Sequence, residues 1–285
     1  MKRKIAVLGG DQRQICLAQF LREDGWDVVT WGLEKADTTF AVSLDQALCA
    51  EIMVLPLPIC RGNDLNLPLS DNKLPCDVFW KQIHADCIVF GGMIAKIPEG
   101  LRGDHRFTLL DYYDREEVQI YHALPTAEGA IMRAMECTKR TLHGSSCLVV
   151  GYGRIGKVLA HRLHSMGANV TVSARKRSDL AWIDVFGYRA VQTQKISERI
   201  GEYDLIFNTV PEIVMDAGCL KAVKQGCLLV ELASLPGGMD RKSVKEYNLR
   251  VVEERGLPGI VAPETSAKLI RDTIYHILDE RGEMV

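Results

Sequence analysis

The sequence predicts an α/β protein made of two Rossmann-like, doubly wound parallel-sheet lobes, joined by a linker helix and closed by a C-terminal helix that returns to the first lobe. Three observations predict this. Short apolar runs alternate with amphipathic stretches, as in a parallel sheet covered by helices. The series runs through once and then restarts near residue 147. The restart opens on a glycine turn of dinucleotide-binding spacing. With 285 residues, 47% of them hydrophobic, the chain can fill two cores.

The first series has strands at 4–8, 26–31, 52–56 and 87–90, with a helix at 14–22 carrying apolar Ile15, Leu17, Ala18 and Leu21. Between Pro56 and Pro75 stand four prolines with Gly62, Asn63 and Asp64, which reads as loop. The second series has strands at 147–150, 169–173, 205–208, 227–231 and 249–252 and a helix at 155–166. A linker helix is expected at 126–140, beginning after Pro125, and a terminal helix at 267–280 after Pro263. The expected domains are a substrate and catalytic lobe at 1–125, a linker helix and nucleotide lobe at 126–263, and a returning helix at 264–285. A helix entering the second lobe and another leaving it predict a cleft between the two.

Thirty-five basic residues nearly balance 37 acidic ones, so charge gives no reason to expect nucleic acid or a membrane surface as partner. The basic opening before Ile5 is followed by an apolar run that stops at Gly9, too short for a secretory or spanning segment. The nine cysteines include no Cys-x-x-Cys pair, and several sit inside apolar runs. They read as buried small hydrophobes in a reducing cytosol rather than as metal ligands or disulfides.

Gly151, Gly153 and Gly156 frame Tyr152, Arg154 and Ile155 in the spacing G-x-G-x-x-G. In a chain with 24 glycines the bare pattern is weak; its place after a strand and before an amphipathic helix makes it strong. The first glycine permits the tight turn, the second lets pyrophosphate reach the backbone, and the third lets the helix pack against the strand. Beyond the next strand, where NAD-binding proteins carry an Asp or Glu for the ribose, stand Ala174, Arg175 and Lys176. A basic turn there favours the 2′-phosphate of NADP(H), unless it is simply a solvated turn.

Arg13 follows the glycine turn of the first strand, at the carboxyl edge where such sheets bind ligands. Its guanidinium suits a carboxylate, and a solvated arginine at a helix start is the alternative. Asp11 and Gln14 in the same turn either meet substrate or cap the helix. Thr126 and Glu128, after Pro125, are expected where free helix N–H groups would receive an anion, although capping explains Thr126 as well. His122 is the imidazole nearest that segment, and it serves either as a base or as structure.

The chain resembles the A subunits of dipicolinate synthase from endospore-forming bacteria. The likeness rests on Val7-Leu-Gly-Gly-Asp-Gln-Arg-Gln14, Arg115-Glu-Glu117, Ala123-Leu-Pro-Thr-Ala-Glu-Gly129, the Gly151 to Gly156 turn, Leu232-Ala-Ser-Leu-Pro-Gly-Gly238 and Gly256-Leu-Pro-Gly-Ile-Val-Ala-Pro263. One departure is Gln12, where the family pattern leads us to expect a small residue. The resemblance implies NADP-linked oxidation of dihydrodipicolinate, a cyclic dicarboxylate, to dipicolinate in the mother-cell cytoplasm of a sporulating bacterium. It also implies a partner, the flavoprotein-like B subunit, with a homo-oligomer as a further possibility. Through the two-lobed hydroxyacid dehydrogenases it implies that Asn208, Thr209 and Val210 line the nicotinamide ribose, that Glu231 and Ala233 border the nicotinamide, and that the loop at 257–263 either contacts its carboxamide or is only a stiff turn back to the first lobe. Two other readings stay open: a 2-hydroxy acid or amino acid dehydrogenase of the same fold, and a non-catalytic nucleotide-binding scaffold. The first is disfavoured because His276 is the one histidine between Glu231 and Val285.

Overall fold

The computed structural model describes residues 3–102 and 106–283, so Met1 and Lys2 of the basic opening lie outside the described residues. The chain divides into two compact units, 1–121 with 262–285, and 122–261.

Unit 1 runs β1 (Lys4–Leu8), α1 (Gln12–Glu23), β2 (Asp27–Trp31), α2 (Leu44–Leu48), β3 (Ile52–Val54), β4 (Cys60–Arg61), β5 (Asp64–Leu65), α3 (Cys76–Trp80), β6 (Ile88–Gly91), α4 (Glu99–Arg102) and β7 (Thr108–Asp111). Its main sheet has the order β2-β1-β3-β6-β7, with every pair parallel. The run Ile5 to Leu8 is apolar at every position because β1 is central and covered on both faces; all four residues are fully buried. The strand order reverses between β1 and β3, the position at which the connections of open α/β sheets leave toward opposite faces.

The segment read as loop between Pro56 and Pro75 contains the antiparallel β4–β5 pair, in which Cys60 faces Leu65. Cys76 N donates to the Asn63 carbonyl at 2.8 Å, and Cys60 and Cys76 are joined as a disulfide. This corrects the reading of all nine cysteines as unpaired. The hairpin, not the sequence spacing, brings the two together. The remaining reading fits: Cys87, Cys147, Cys219 and Cys227 are buried in the cores, and burial pushes the thiols of Cys87, Cys147 and Cys227 up to about 12.

The linker helix is longer at its start than expected. α5 (Glu116–Cys137) begins ten residues before Thr126 and passes through Pro125. A proline inside a helix removes one N–H and crowds the preceding turn. Here the Thr126 hydroxyl donates to the His122 carbonyl at 2.7 Å, supplying a donor at the disturbed turn. The unit boundary falls between Tyr121 and His122, at that turn.

Unit 2 continues with β8 (Ser146–Val150), α6 (Arg154–Ser165), β9 (Asn169–Ala174), α7 (Arg177–Val185), β10 (Arg189–Gln192), β11 (Leu205–Asn208), α8 (Ala217–Lys221), β12 (Leu228–Glu231), α9 (Arg241–Glu246), β13 (Arg250–Glu253) and α10 (Leu257–Val261). Its all-parallel sheet has the order β10-β9-β8-β11-β12-β13, the 3-2-1-4-5-6 winding of dinucleotide-binding folds. The reading of the sequence missed β7 and β10, each four residues long at a sheet edge, where half-buried side chains weaken the apolar signal.

The last helix, α11 (Pro263–Glu280), starts on its proline. Ala267, Ile270, Ile274 and Ile277 form one face, and they share a core with Leu17, Ala18 and Leu21 of α1. The end of the chain therefore completes the core of unit 1. Ile274→Ala should lower the stability of that unit by about 2–5 kcal/mol, the range for truncating a buried isoleucine, measured as an earlier urea midpoint. An unchanged midpoint would mean that α11 only rests on a core stable without it.

Candidate functional site

Each glycine of the turn after β8 sits where a side chain has a distinct consequence. Gly151 has φ +100°, and a Cβ there would lie 2.6 Å from Thr209 Oγ1. A Cβ on Gly156 would lie 2.1 Å from the Gly151 carbonyl oxygen, so only glycine lets α6 approach β8 this closely. A Cβ on Gly153 would meet nothing within 4 Å. Gly153 is the N-cap of α6 and supplies no capping side chain, so the first turn of α6 has N–H groups and a positive dipole end without a side-chain cap. This open, uncapped turn is the geometry that receives a pyrophosphate. The α6 face bearing Leu159, Ala160 and Leu163 is buried and fixes the helix over the sheet. Tyr152 turns its ring into the core, with Lys157 Nζ over it at 5.5 Å, so only its backbone belongs to the turn. Ile155 packs at the margin of that core, and Arg154 is exposed.

Ala174 ends β9 and is buried; Arg175 and Lys176 are exposed. The expectation that no carboxylate stands near this turn holds in the sequence but not in space. Glu212, in the loop after β11, places Oε2 3.4 Å from Arg175 Nη1. Both side chains are about two-thirds exposed, so the pair is weak and an anion of higher charge can displace it.

Asn208 and Glu231 face each other across β11 and β12. Both side chains are buried and mutually engaged. Asn208 Nδ2 donates to Glu231 Oε1 at 2.6 Å and to the Val210 carbonyl at 2.8 Å. Glu231 also accepts from Ala233 N at 3.0 Å and from Gly238 N at 2.9 Å. The two side chains thus shape the loops at 209–210 and 232–238. Thr209 Oγ1 donates to the Val150 carbonyl at 2.9 Å.

In unit 1, Asp11 is the N-cap of α1 and accepts from Arg13 N. It also grips the Arg13 guanidinium with both oxygens: Nε to Oδ1 and Nη2 to Oδ2, each 2.8 Å. Arg13 Nη2 further donates to the Leu57 carbonyl at 2.9 Å, tying the end of β1 to the segment after β3. Arg13 is 5% exposed, a buried member of an ion pair rather than a solvated arginine. Burial raises the Asp11 pKa, but the hydrogen bond and charge of Arg13 outweigh it and hold the carboxyl below its ordinary range. Gln14 is fully buried.

Thr126 and Glu128 are interior residues of α5, so the free N–H groups expected beside them are engaged in the helix. This corrects the expectation of a helix start at Pro125. Glu128 is exposed and pairs with Arg162 at 3.4 Å. His122 is buried on the same helix. Among the described residues no cluster of three or more His, Cys, Asp or Glu could hold a metal ion, and no helix is long and apolar enough to cross a membrane.

Winding, glycine turn and uncapped helix define unit 2 as a nicotinamide dinucleotide-binding domain of the dehydrogenase type. Residues 115–234 match the NAD-binding domain of D-isomer specific 2-hydroxyacid dehydrogenases, and residues 4–113 match the N-terminal domain of the dipicolinate synthase A subunit. The chain is 31% identical to the A subunit of dipicolinate synthase from Bacillus subtilis (strain 168), over 97% of this chain and 96% of that one. The crystal structure of the Bacillus halodurans A subunit superposes with a TM-score of 0.86 at 26% identity, covering 97% of both chains. That of the Bacillus subtilis protein gives 0.85 at 30% identity, covering 100% of this chain and 98% of the other. The chain belongs to the family of dipicolinate synthase A subunits.

Glu212 and the Leu57 carbonyl were missed in the sequence. Glu212 is 37 residues from its partner, and a backbone carbonyl carries no sequence signal at all. Arg13→Ala would leave the half-buried Asp11 carboxylate without its partner, and unit 1 should lose on the order of 3 kcal/mol in urea denaturation. Dinucleotide affinity should stay the same, because its turn belongs to unit 2. The Asp11 pKa is depressed on folding. Its stabilisation is therefore complete above the ordinary value of 3.8 and lost as pH falls through the lower folded value. Asp11→Asn should flatten that stretch of the acid-unfolding curve; an unaltered curve would assign acid sensitivity to other carboxylates.

Proposed function

We propose that this chain is the oxidoreductase subunit of a dipicolinate synthase, oxidising dihydrodipicolinate to dipicolinate with NADP in preference to NAD. It would work with a flavoprotein-like B subunit in the mother-cell cytoplasm of a sporulating bacterium. The observation that carries the reading is the open space over Gly153 at the uncapped start of α6, in a chain of this family.

The residues fit a nicotinamide dinucleotide. Gly151, Gly153 and Gly156 with the first turn of α6 would hold the pyrophosphate, and Arg175 and Lys176 the 2′-phosphate, displacing Glu212. The bound nicotinamide would supply the hydride acceptor. Aromatisation supplies much of the driving force, so the protein's own tasks are to orient the ring, balance two carboxylates and take one proton. For the carboxylate role Arg13 retains Nη1, which has no partner among the described residues. His122 is the imidazole assigned to accept the proton. His276, on which a 2-hydroxy acid dehydrogenase of this fold would have to rely, lies on the exposed side of α11 in unit 1.

Reduced dinucleotide should form when the purified chain meets dihydrodipicolinate and NADP, tested with and without the B subunit. Formation with a 2-hydroxy acid instead would favour the dehydrogenase reading, and none under either condition a scaffold. Gly153→Val should abolish dinucleotide binding in calorimetry while the far-ultraviolet spectrum is preserved, since the side chain enters open space rather than core. Arg175→Glu should weaken NADP by about tenfold or more and NAD far less, because a like charge then faces the 2′-phosphate. Equal weakening of the two would show that the turn does not read the phosphate.

A further inference from the structure

Unit 2 carries an exposed aromatic cluster that the dinucleotide turn does not use. Trp182 and Phe186 stand four residues apart at the end of α7, so they share one face of the helix. They are 56% and 55% exposed. Two large rings side by side and more than half in water form an apolar patch that marks a binding surface more often than an idle one. Their planes lie 23° apart with centroids at 5.7 Å, and the Tyr188 ring follows Phe186 at 6.3 Å and 25°. Rings in near-parallel array present flat faces, which suit a planar molecule.

These three rings line a cavity of about 360 Å³ together with Tyr152, Lys157 and His161. Lys157 and His161 are again four residues apart, on one face of α6. The lining therefore holds two basic side chains and no carboxylate. Lys157 Nζ stands over the Tyr152 ring at 5.5 Å and has no ion-pair partner among the described residues. An ammonium held over a ring face without a counter-ion favours an anion beside it. The volume is at the small end of the range of about 300–1,000 Å³ for ligand pockets, which suits one ring or two rather than a dinucleotide. Tyr152 gives only its backbone to the glycine turn, so turn and cavity use different parts of it.

We propose that unit 2 binds a planar aromatic carboxylate between α6 and α7, its ring against Trp182 and Phe186 and its carboxylate on Lys157 and His161. A saturated ring loses the stacking, and an uncharged ring loses the ammonium. Dipicolinate, the product proposed above, belongs to this class, so the cavity offers it a place apart from the dinucleotide turn. Nothing in the cavity depends on the proposed oxidation.

Pyridine-2,6-dicarboxylate, titrated into the whole chain without metal ions, is the probe. Of the four tryptophans, Trp26, Trp31 and Trp80 belong to unit 1 and Trp182 to unit 2. The difference in fluorescence between the native chain and Trp182→Phe therefore reports on this cavity and not on a site in unit 1. The probe should quench Trp182 saturably. Piperidine-2,6-dicarboxylate, the saturated analogue, should bind about tenfold more weakly, for want of stacking on two rings. Lys157→Gln should weaken the probe by about tenfold through loss of a charge-assisted contact, with an unchanged thermal midpoint because Lys157 is exposed. Saturating NAD or NADP should not displace it.

No quenching of Trp182, equal affinity for the saturated analogue, a Lys157→Gln chain of unaltered affinity, or displacement by dinucleotide would overturn the proposal. So would a sedimentation coefficient that rises with concentration in the native chain but not in Trp182→Ala, which would make the rings a contact between two copies. None of these readouts involves turnover or unit 1, so failure of the proposed oxidation and failure of this site would be told apart.

Discussion

The arrangement of unit 2 depends on the approach of α6 to β8 at Gly156. A methyl group there would lie 2.1 Å from the Gly151 carbonyl oxygen, so the absence of a side chain lets the helix start directly over the strand's end. The helix axis then aims its uncapped N–H groups at the carboxyl edge of the sheet. Gly151 turns the chain in a left-handed conformation, and Gly153 leaves room above the helix start. Shape, dipole and free donors converge on one point because a single packing distance is short.

Buried polar groups are handled differently in the two units. In unit 2 the Glu231 carboxylate receives Asn208 Nδ2 and the N–H groups of Ala233 and Gly238, and it fixes two loops at the sheet edge by doing so. In unit 1 the Asp11–Arg13 pair is satisfied in the same manner, with Leu57 as third member. Gln14 and Asn66, one turn away, are not. The same sheet edge therefore holds a finished polar network beside buried side-chain amide atoms that have no hydrogen-bond partner among the described residues.

α5 shows how far a local signal can be overridden. Proline at position 125 reads as a helix start because its missing N–H is harmless in a first turn. The helix nevertheless begins at Glu116, since Ala123, Ala127, Ala130 and Ala134 bury one face over several turns and the Thr126 hydroxyl adds a hydrogen bond to the His122 carbonyl beside the proline. Packing over 22 residues outweighs one missing hydrogen bond. The shift moves Thr126 and Glu128 from a helix terminus to its interior and changes what they can bind.

Several features of this protein were determined by local sequence alone. The central strands β1 and β8 are legible because they are apolar at nearly every position, and the dinucleotide turn because three glycines stand between such a strand and an amphipathic helix. The terminal helix is legible from Pro263 and the spacing of its isoleucines. Each of these depends on residues within a few positions of one another. Tertiary structure decided what joins distant residues: the Cys60–Cys76 link across a hairpin, Glu212 beside Arg175, and the Asn66 carbonyl on Gly10 N. Such pairs depend on which strands lie side by side, and a polar atom reveals that it lacks a partner only after folding has removed it from water.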